Sequence, residues 1–183
     1  ASIQNRLTKH TLSVANSLSD RNLVELKLAI TGLAPRAAKR WGLNQGVKTV
    51  EQQGNGSLGE RMRRQVLRAQ QRSHLQTITG RTTLLIGTDL PNLCERDLLQ
   101  ALKALEEHEL VLGPANDGGY WLLGLSKGLV QPVASWPFCG IPWGTNQVME
   151  LTLQQAQWAG ITPGLLRQQN DLDRLEDLEP WQA

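Results

Sequence analysis

Residues 84–91 read Leu-Leu-Ile-Gly-Thr-Asp-Leu-Pro, a short apolar run that closes on an aspartate beside a glycine. The same order recurs where the apolar run 110–112 is followed by Asn116-Asp117-Gly118-Gly119-Tyr120. Each run has the length and character of a buried strand. Carboxylates at the carboxyl ends of strands, beside glycines that let a ligand approach the backbone, are typical of nucleotide or metal sites in open α/β sheets. The pattern therefore predicts an α/β enzyme domain.

The composition favours one domain that acts on small molecules. The chain has 183 residues, 40% of them hydrophobic, and a formal net charge of +2. That length supports one sizeable core, so we expect a single domain over residues 1–183. The weak charge argues against a nucleic-acid or membrane surface, and no apolar stretch approaches the roughly 18 residues of a membrane helix. With two cysteines and no signal peptide in the sequence, we expect a cytoplasmic protein.

Helix-like and strand-like periods alternate along the chain, which predicts a mainly parallel sheet covered by helices. Helices are predicted over residues 3–18, 35–41, 58–73, 95–107 and 145–159. Strands are predicted over residues 23–30, 47–50, 82–86, 110–112 and 120–125, with a strand-like region over 161–166. Thr145 is the expected N-cap of the last helix and Gly160 its stop. Trp41 and Trp158 are expected in the core.

Five blocks of sequence carry a family resemblance. They are Gly-Asn-Gly-Ser-Leu-Gly-Glu-Arg-Met at 54–62, Ile-Gly-Thr-Asp-Leu-Pro at 86–91, Val-Leu-Gly-Pro-Ala at 111–115 with Asp-Gly-Gly-Tyr at 117–120, Ile-Pro-Trp-Gly-Thr at 141–145, and Asp-Leu-Asp at 171–173 with Glu-Asp-Leu at 176–178. One block alone is weak, but the ordered set is specific at family level. The chain resembles the bacterial nucleotide-diphospho-sugar transferases with a GT-A-type fold, which include glycosyltransferases of arsenosugar biosynthesis. The resemblance implies a three-layer α/β fold, in which a mostly parallel sheet is flanked by helices.

The sequence departs from this family at its start. Family members open with an apolar strand and a basic, glycine-containing loop that contacts the donor nucleotide, whereas this sequence opens in what resembles the first helix of the family. In the GT-A fold that strand lies inside the sheet, and each buried backbone group left unpaired costs about 1–3 kcal/mol. We therefore expect an N-terminally truncated form of the fold, or a slot that another segment or chain fills. A homo-oligomer stays open.

The resemblance implies charge neutralisation on a leaving diphosphate. Mg²⁺ or Mn²⁺ supplies it and prefers hard oxygen ligands, usually one or two carboxylates with phosphate and water. We predict Asp89 as a catalytic residue and metal ligand, and Asp171 as the second ligand. The alternative for Asp89 is a turn residue that caps the following helix. Asp173 and Glu176 have capping-box spacing, so we expect Asp173 to be structural.

A second group of residues is predicted to bind the substrate. Asp117 is the other predicted catalytic residue, as a substrate-binding group or general base, and a plain turn residue is an alternative of equal weight. The adjacent glycines let a sugar or acceptor come close, and Trp143 is expected to line the acceptor pocket. The predicted substrate-binding residues are Gly118, Gly119, Tyr120, Trp143, Gly144 and Thr145.

The segment 54–61 is predicted to face the donor. It places three glycines before a helix, so that free amides and the positive end of the helix dipole are available to a phosphate. A flexible loop is the alternative. Of the arginines along the helix, only Arg61 is close enough to the glycines to be a phosphate partner. The predicted donor-binding residues are Gly56, Leu58, Gly59, Arg61, Gly87 and Thr88.

These residues together predict a metal-dependent glycosyltransferase that moves a sugar from a nucleotide-diphospho-sugar to a small acceptor. One alternative is a nucleotidyltransferase, because guanylyltransferases of cofactor biosynthesis resemble the same fold. The other alternative is a nucleotide-binding module without catalysis, since the N-terminal loop of the family is absent from the sequence. We expect no nucleic-acid partner and no membrane span.

Overall fold

The computed structural model describes residues 2–71, 81–130 and 132–170. Its helices are α1 (Ser2–Asp20), α2 (Pro35–Asn44), α3 (Leu58–Gln71), α4 (Glu95–Ala104), α5 (Lys127–Val130) and α6 (Val148–Trp158), with a 3₁₀ helix at Trp136–Phe138. Its strands are β1 (Lys27–Ile30), β2 (Thr49–Gln52), β3 (Thr83–Ile86), β4 (Leu110–Pro114), β5 (Tyr120–Leu125) and β6 (Gly164–Leu165). Helices and strands alternate over most of this order, which confirms the predicted α/β class.

The described residues form two compact units. The first unit contains those of Ala1–Gly54 and Gly87–Arg96 together with Asn170, and the second contains those of Asn55–Ile86 and Asp97–Gln169. The single domain expected over residues 1–183 stays a prediction.

The first unit holds a two-stranded parallel sheet, in which Lys27 of β1 pairs with Thr49 of β2 and Ile30 pairs with Gln52. Helix α2 packs closely on β2, and Gly42 makes this possible since a side chain there would overlap the Val50 side chain. The buried residues of its core are Leu12, Leu28 and Val47, with Leu26 and Trp41 packed against them. The core position expected for Trp41 is therefore confirmed.

The second unit holds a four-stranded sheet in the order β3-β5-β4-β6. β5 runs antiparallel to β3 and to β4, and β6 runs parallel to β4. Three of the four strands therefore share a direction, as the sequence predicted, and β5 is the exception. It reverses because only five residues separate it from β4, a length that permits a hairpin but no crossover. The ends of β3, β4 and β6 consequently lie at one edge of the sheet, here called the carboxyl edge.

The core of the second unit lies around β4 and β5. Residues 110–113 and 121–125 are all buried, so both strands read as apolar runs without alternation, as expected where both faces are covered. The cluster of buried residues contains Val66, Leu110, Leu112, Leu123, Leu125, Leu129, Val130, Phe138 and Ala156.

Helix α6 corrects two expectations from the sequence. Trp158 is 75% exposed rather than part of the core. The buried positions Val148, Thr152 and Ala156 recur every four residues, and Trp158 lies about 200° around the helix from Ala156. The N-cap is Gln147 and not Thr145, since the helix begins at Val148. The predicted stop is confirmed at Gly160, which has φ of +72°.

Within the part of the chain that the structure describes, no helix has the length and apolar character needed to cross a membrane.

Candidate functional site

The carboxyl edge brings together the ends of the strands that precede both predicted aspartates. Ile86, the last residue of β3, pairs with Leu122, and Pro114, the last residue of β4, pairs with Tyr120. Asp89 follows the first of these strand ends and Asp117 follows the second. In open α/β sheets, ligands bind outside the carboxyl ends of the strands. The topology therefore places both strand ends where such a site forms.

Asp117 lies in the turn that joins β4 to β5. Its Oδ1 accepts a hydrogen bond from the Gly119 amide at 2.8 Å, and the Ala115 amide donates to the Gly119 carbonyl at 3.1 Å. An aspartate that binds the backbone two residues ahead stabilises a tight turn by itself. The side chain is nevertheless exposed, and Oδ2 has no partner in the described part of the chain. Asp117 thus has a structural role that accounts for one of its two carboxylate oxygens.

The predicted substrate-binding glycines differ in what occupies the space beside them. Gly118 has φ of +89°, and a side chain there would overlap the backbone of Asn146. Its carbonyl accepts from the Met149 amide at 2.9 Å, so this glycine lets the turn pack on the loop before α6. At Gly119 the nearest group is the Asp117 carboxylate, whereas Gly144 has φ of +82° and no atom within 4 Å. Open space is therefore found at Gly144 and not at Gly118.

Tyr120 and Trp143 form an aromatic pair in the second unit. Their ring centroids are 6.1 Å apart with an interplanar angle of 89°, an edge-to-face arrangement. The Tyr120 hydroxyl is buried without a hydrogen-bond partner among the described residues, and burial raises the pKa of this phenol. The neighbouring Thr152 lowers the pKa of Tyr120 by less than burial raises it. The Thr152 hydroxyl donates its own hydrogen to the Val148 carbonyl at 2.7 Å. Tyr120 therefore stays neutral and can donate a hydrogen bond.

Thr145, the last of the predicted substrate-binding residues, holds the same loop by local bonds. Its hydroxyl donates to the Pro142 carbonyl at 2.8 Å and accepts from the Gln147 amide at 3.3 Å. The side chain is exposed. These bonds stabilise the loop between Trp143 and α6. The Thr145 hydroxyl therefore holds this loop and does not cap the helix.

Helix α3 begins with a capping box that the sequence analysis missed. The Ser57 amide donates to Glu60 Oε2 at 2.7 Å, and the Glu60 amide donates to Ser57 Oγ at 3.3 Å. The bond from the Ser57 amide is the main cause that lowers the pKa of Glu60. The spacing Ser-x-x-Glu before a helix is a known signal for this cap. One amide of the predicted donor segment is therefore already bound within the chain.

The first turn of α3 lies against the predicted acceptor side. A side chain at Gly59 would overlap the Phe138 carbonyl, and its Cβ would lie 2.6 Å from Trp143 Nε1. Gly56 has φ of +111° and faces the Glu60 carboxylate. Gly59, Trp143 and Tyr120 thus come together in the second unit. The other two predicted donor residues of this region are Leu58, which is 39% exposed, and Arg61, which is half-buried.

The loop that carries Asp89 belongs to the first unit and is anchored by the residues that follow the aspartate. Leu90 and Leu93 are 0% and 2% exposed, and a His10 ring nitrogen bonds to the Leu93 carbonyl at 2.9 Å. Asp89 and Thr88 are half-buried. The Asp89 carboxylate lies over Gly87. A Cβ added at Gly87 would be only 2.7 Å from Asp89 Oδ1. The backbone directly after Asp89 is therefore held in place within the first unit.

A divalent metal fits the donor chemistry of this loop. Asp89 offers a hard carboxylate, and Mg²⁺ typically takes only one or two carboxylates, with the remaining positions filled by substrate oxygens and water. The residues that the structure describes contain no group of three or more His, Cys, Asp or Glu side chains able to hold a metal. Asp171, the predicted second ligand, and Asp173 lie outside the described residues.

Two features near the carboxyl edge were not predicted from the sequence. Asp97 is 2% exposed and accepts two hydrogen bonds from Arg167, at 2.5 and 2.7 Å. Trp121 Nε1 donates to the Arg167 carbonyl at 3.2 Å, so the segment after β6 is held from two sides. Gln169 is 4% exposed, and neither of its side-chain polar atoms has a hydrogen-bond partner among the described residues. Neither feature has a local sequence signal, because the partners are distant along the chain.

A protein-family model and a solved structure are similar to this chain. The model of a family described as "Uncharacterized protein conserved in bacteria (DUF2064)" matches residues 14–145. A crystal structure described as a "putative nucleotide-diphospho-sugar transferase" from Desulfovibrio desulfuricans G20 is similar, with a TM-score of 0.76 and 24% sequence identity. The match covers 92% of this chain and 69% of that one. No curated protein matches the chain. The chain has the fold of that structure, and it belongs to the DUF2064 family of bacterial proteins.

Proposed function

We propose that this chain is a metal-dependent glycosyltransferase that moves a sugar from a nucleotide-diphospho-sugar to a small acceptor. The observation that carries the proposal is the carboxyl edge, where β3 and β4 end and from which Asp89 and Asp117 follow. The fold shared with the Desulfovibrio structure supports the donor class.

Asp89 is the proposed metal ligand, with Asp171 as its partner. Mg²⁺ or Mn²⁺, when bound, would neutralise charge on the leaving diphosphate. Leu90 and Leu93 are buried directly after Asp89 and His10 bonds to the Leu93 carbonyl, so little backbone entropy of this loop is lost when the carboxylate binds a cation. The proposed donor-binding residues are Gly87 and Thr88 in this loop, and Gly56, Leu58, Gly59 and Arg61 at the start of α3.

Asp117 is the proposed base or acceptor-binding group. In the transfer, the bond from the anomeric carbon to the diphosphate breaks, the acceptor oxygen bonds to that carbon, and the acceptor proton passes to a base. The Gly119 amide orients the Asp117 carboxylate through Oδ1, which leaves Oδ2 to contact the acceptor. The acceptor subsite is proposed to contain Gly118, Gly119, Tyr120, Trp143, Gly144 and Thr145.

A release assay tests the proposal. The purified protein is mixed with UDP-, GDP-, ADP- and CDP-sugars and a library of small hydroxyl acceptors, with Mn²⁺ or with EDTA, and free nucleoside diphosphate is measured. We expect release from one donor class in Mn²⁺ and none in EDTA. Asp89→Asn should remove the release, and Asp20→Asn, an exposed aspartate at the end of α1, should not.

The same assay separates the alternatives. Pyrophosphate release from a nucleoside triphosphate, with no diphosphate from any nucleotide-sugar, would assign a nucleotidyltransferase instead. Binding of a nucleotide-sugar without release, even with a library of hydroxyl acceptors, would contradict the catalytic proposal and leave a binding module.

A further inference from the structure

Gln169 lies directly beside the turn that carries Asp117. Its amide donates to the Pro114 carbonyl at 3.0 Å, and its carbonyl accepts from the Asn116 amide at 3.2 Å. These two bonds form a parallel bridge between Gln169 and Ala115. Paired residues in such a bridge direct their side chains to the same face of the sheet. The backbone of Gln169 is therefore fixed at the carboxyl edge, just past the end of β4.

The carboxamide of Gln169 is unsatisfied. The residue is 4% exposed, and neither Oε1 nor Nε2 has a hydrogen-bond partner in the described part of the chain. Nearly all buried polar side-chain groups in native proteins have a partner, since leaving one unpaired destabilises the fold. Residues that lower stability in this way are typical of functional sites.

We propose that the Gln169 carboxamide contacts the ligand that binds at the carboxyl edge and determines specificity there. It offers one acceptor and two donors, so it fits a ligand group that presents a donor and an acceptor side by side. A nucleobase edge and a pair of sugar hydroxyls share that chemistry. This inference rests on the proposed transferase function, because it assigns a recognition role within the same site.

The route to the ligand is a change of side-chain torsion. Neither polar atom contacts solvent, and the backbone is bonded to the β4 side through both its amide and its carbonyl. Gln has three rotatable side-chain bonds, so its carboxamide can turn to a ligand while the bridge stays intact.

Two measurements on Gln169→Met test the proposal, and the first is the melting temperature of the free protein. Methionine has a similar volume and no strong hydrogen-bonding group, so we expect the melting temperature to rise by about 2 °C or more. An unchanged or lower value in both Gln169→Met and Gln169→Leu would overturn the proposal, because the amide would then be satisfied in the free protein. Gln168→Met, at the exposed neighbouring position, should change nothing.

The second measurement is ligand affinity in Mn²⁺, with UDP, GDP, ADP, CDP and the corresponding nucleotide-sugars as probes. We expect Gln169→Met to weaken the probe that binds the wild type by about tenfold or more. Weakening of both the diphosphate and its sugar would assign the contact to the nucleoside. Weakening of the nucleotide-sugar alone would assign it to the sugar hydroxyls.

The outcomes distinguish this inference from the function beneath it. Equal affinity of wild type and Gln169→Met for a probe that binds both would overturn the role of Gln169 and leave the transferase proposal standing. A wild type that binds no probe would overturn the transferase proposal itself, and the role of Gln169 with it.

Discussion

The two strand-end aspartates have the same sequence signal and different surroundings. Asp117 is exposed, its Oδ1 binds the Gly119 amide, and the space beside Gly118 is filled by the backbone of Asn146. Asp89 is half-buried in a loop anchored by Leu90 and Leu93, and its carboxylate folds over Gly87. The sequence pattern of an aspartate next to glycines can therefore arise for two separate physical reasons. The first is formation of a tight turn, and the second is the fixed placement of a carboxylate.

The glycines beside the two aspartates have different roles. At Gly118 the absence of a side chain is required by the protein's own backbone. At Gly87 a side chain would meet, among the described residues, only the end of the Asp89 side chain, and φ is not in the left-handed region. Substitutions at these two glycines should therefore separate stability from ligand binding.

The largest expected effect is that of Gly118→Ala. The change forces an L side chain into φ of +89° and against the Asn146 backbone, so we expect a loss of about 2–5 kcal/mol in the free energy of unfolding. Gly144→Ala is the matched control, with a similar φ and no atom within 4 Å, and should lose only about 1–2 kcal/mol. Denaturant unfolding measures both, and equal losses would show that contact with Asn146 is unimportant.

Asp117 is tested by two substitutions that differ in one property. Asp117→Ala removes the bond to the Gly119 amide and should cost about 1 kcal/mol of stability. Asp117→Asn keeps an acceptor oxygen for that amide but cannot take a proton, so it should retain the stability and lose turnover. Full turnover by Asp117→Asn would leave Asp117 with its turn role alone.

Gly87→Ala should have the opposite profile to Gly118→Ala. The backbone at Gly87 accepts an alanine, so unfolding free energy should change by no more than about 1 kcal/mol. The new Cβ would lie 2.7 Å from Asp89 Oδ1 and must displace the carboxylate, so Mn²⁺-dependent ligand binding should weaken. Calorimetry with the bound nucleotide-sugar checks this, and unaltered affinity would argue against Asp89 as a ligand.

The smallest effect concerns Glu60, whose carboxylate holds the Ser57 amide as Asp117 holds that of Gly119. The pKa of Glu60 is lowered from its ordinary value of 4.5, so its stabilising contribution is present above that pH. It is lost as pH falls below 4.5 through the lowered pKa. Glu60→Ala should therefore be less stable than wild type at pH 7 and approach it progressively as the pH falls below 4.5, whereas Glu107→Gln, at an exposed position, should match wild type throughout. A difference that does not narrow as the pH falls below 4.5 would contradict the assigned cause.

Sequence alone predicted features that depend on local pattern. The apolar runs of β4 and β5 and the period of α3 gave the class of fold, because burial repeats with the geometry of each element. The glycine stop of α6 was likewise visible, since φ of +72° at Gly160 is a local requirement. The capping box of Ser57 and Glu60 was also present in the sequence and was overlooked.

Features that depend on tertiary contacts were not predictable from the sequence. The space beside Gly118 is filled by a residue almost thirty positions away, and Asp97 meets Arg167 across the chain. The exposure of Trp158 follows from which face of α6 is buried, and a tryptophan alone does not reveal that. The unpaired amide of Gln169 appears only once β6 and its continuation lie beside β4.

The most direct test of the metal-dependent site at Asp89 is a thermal-shift measurement on wild type and Asp89→Ala. Each is melted with nucleotide-diphospho-sugars, with and without Mn²⁺. A ligand at 100 times its dissociation constant stabilises the folded state by about 2.7 kcal/mol, so binding is readily detected. We predict a Mn²⁺-dependent shift for wild type that Asp89→Ala lacks, with only a small difference between the two melting temperatures when no ligand is present. A shift that persists in Asp89→Ala, or a large loss of stability without ligand, would contradict the account and make Asp89 a structural residue.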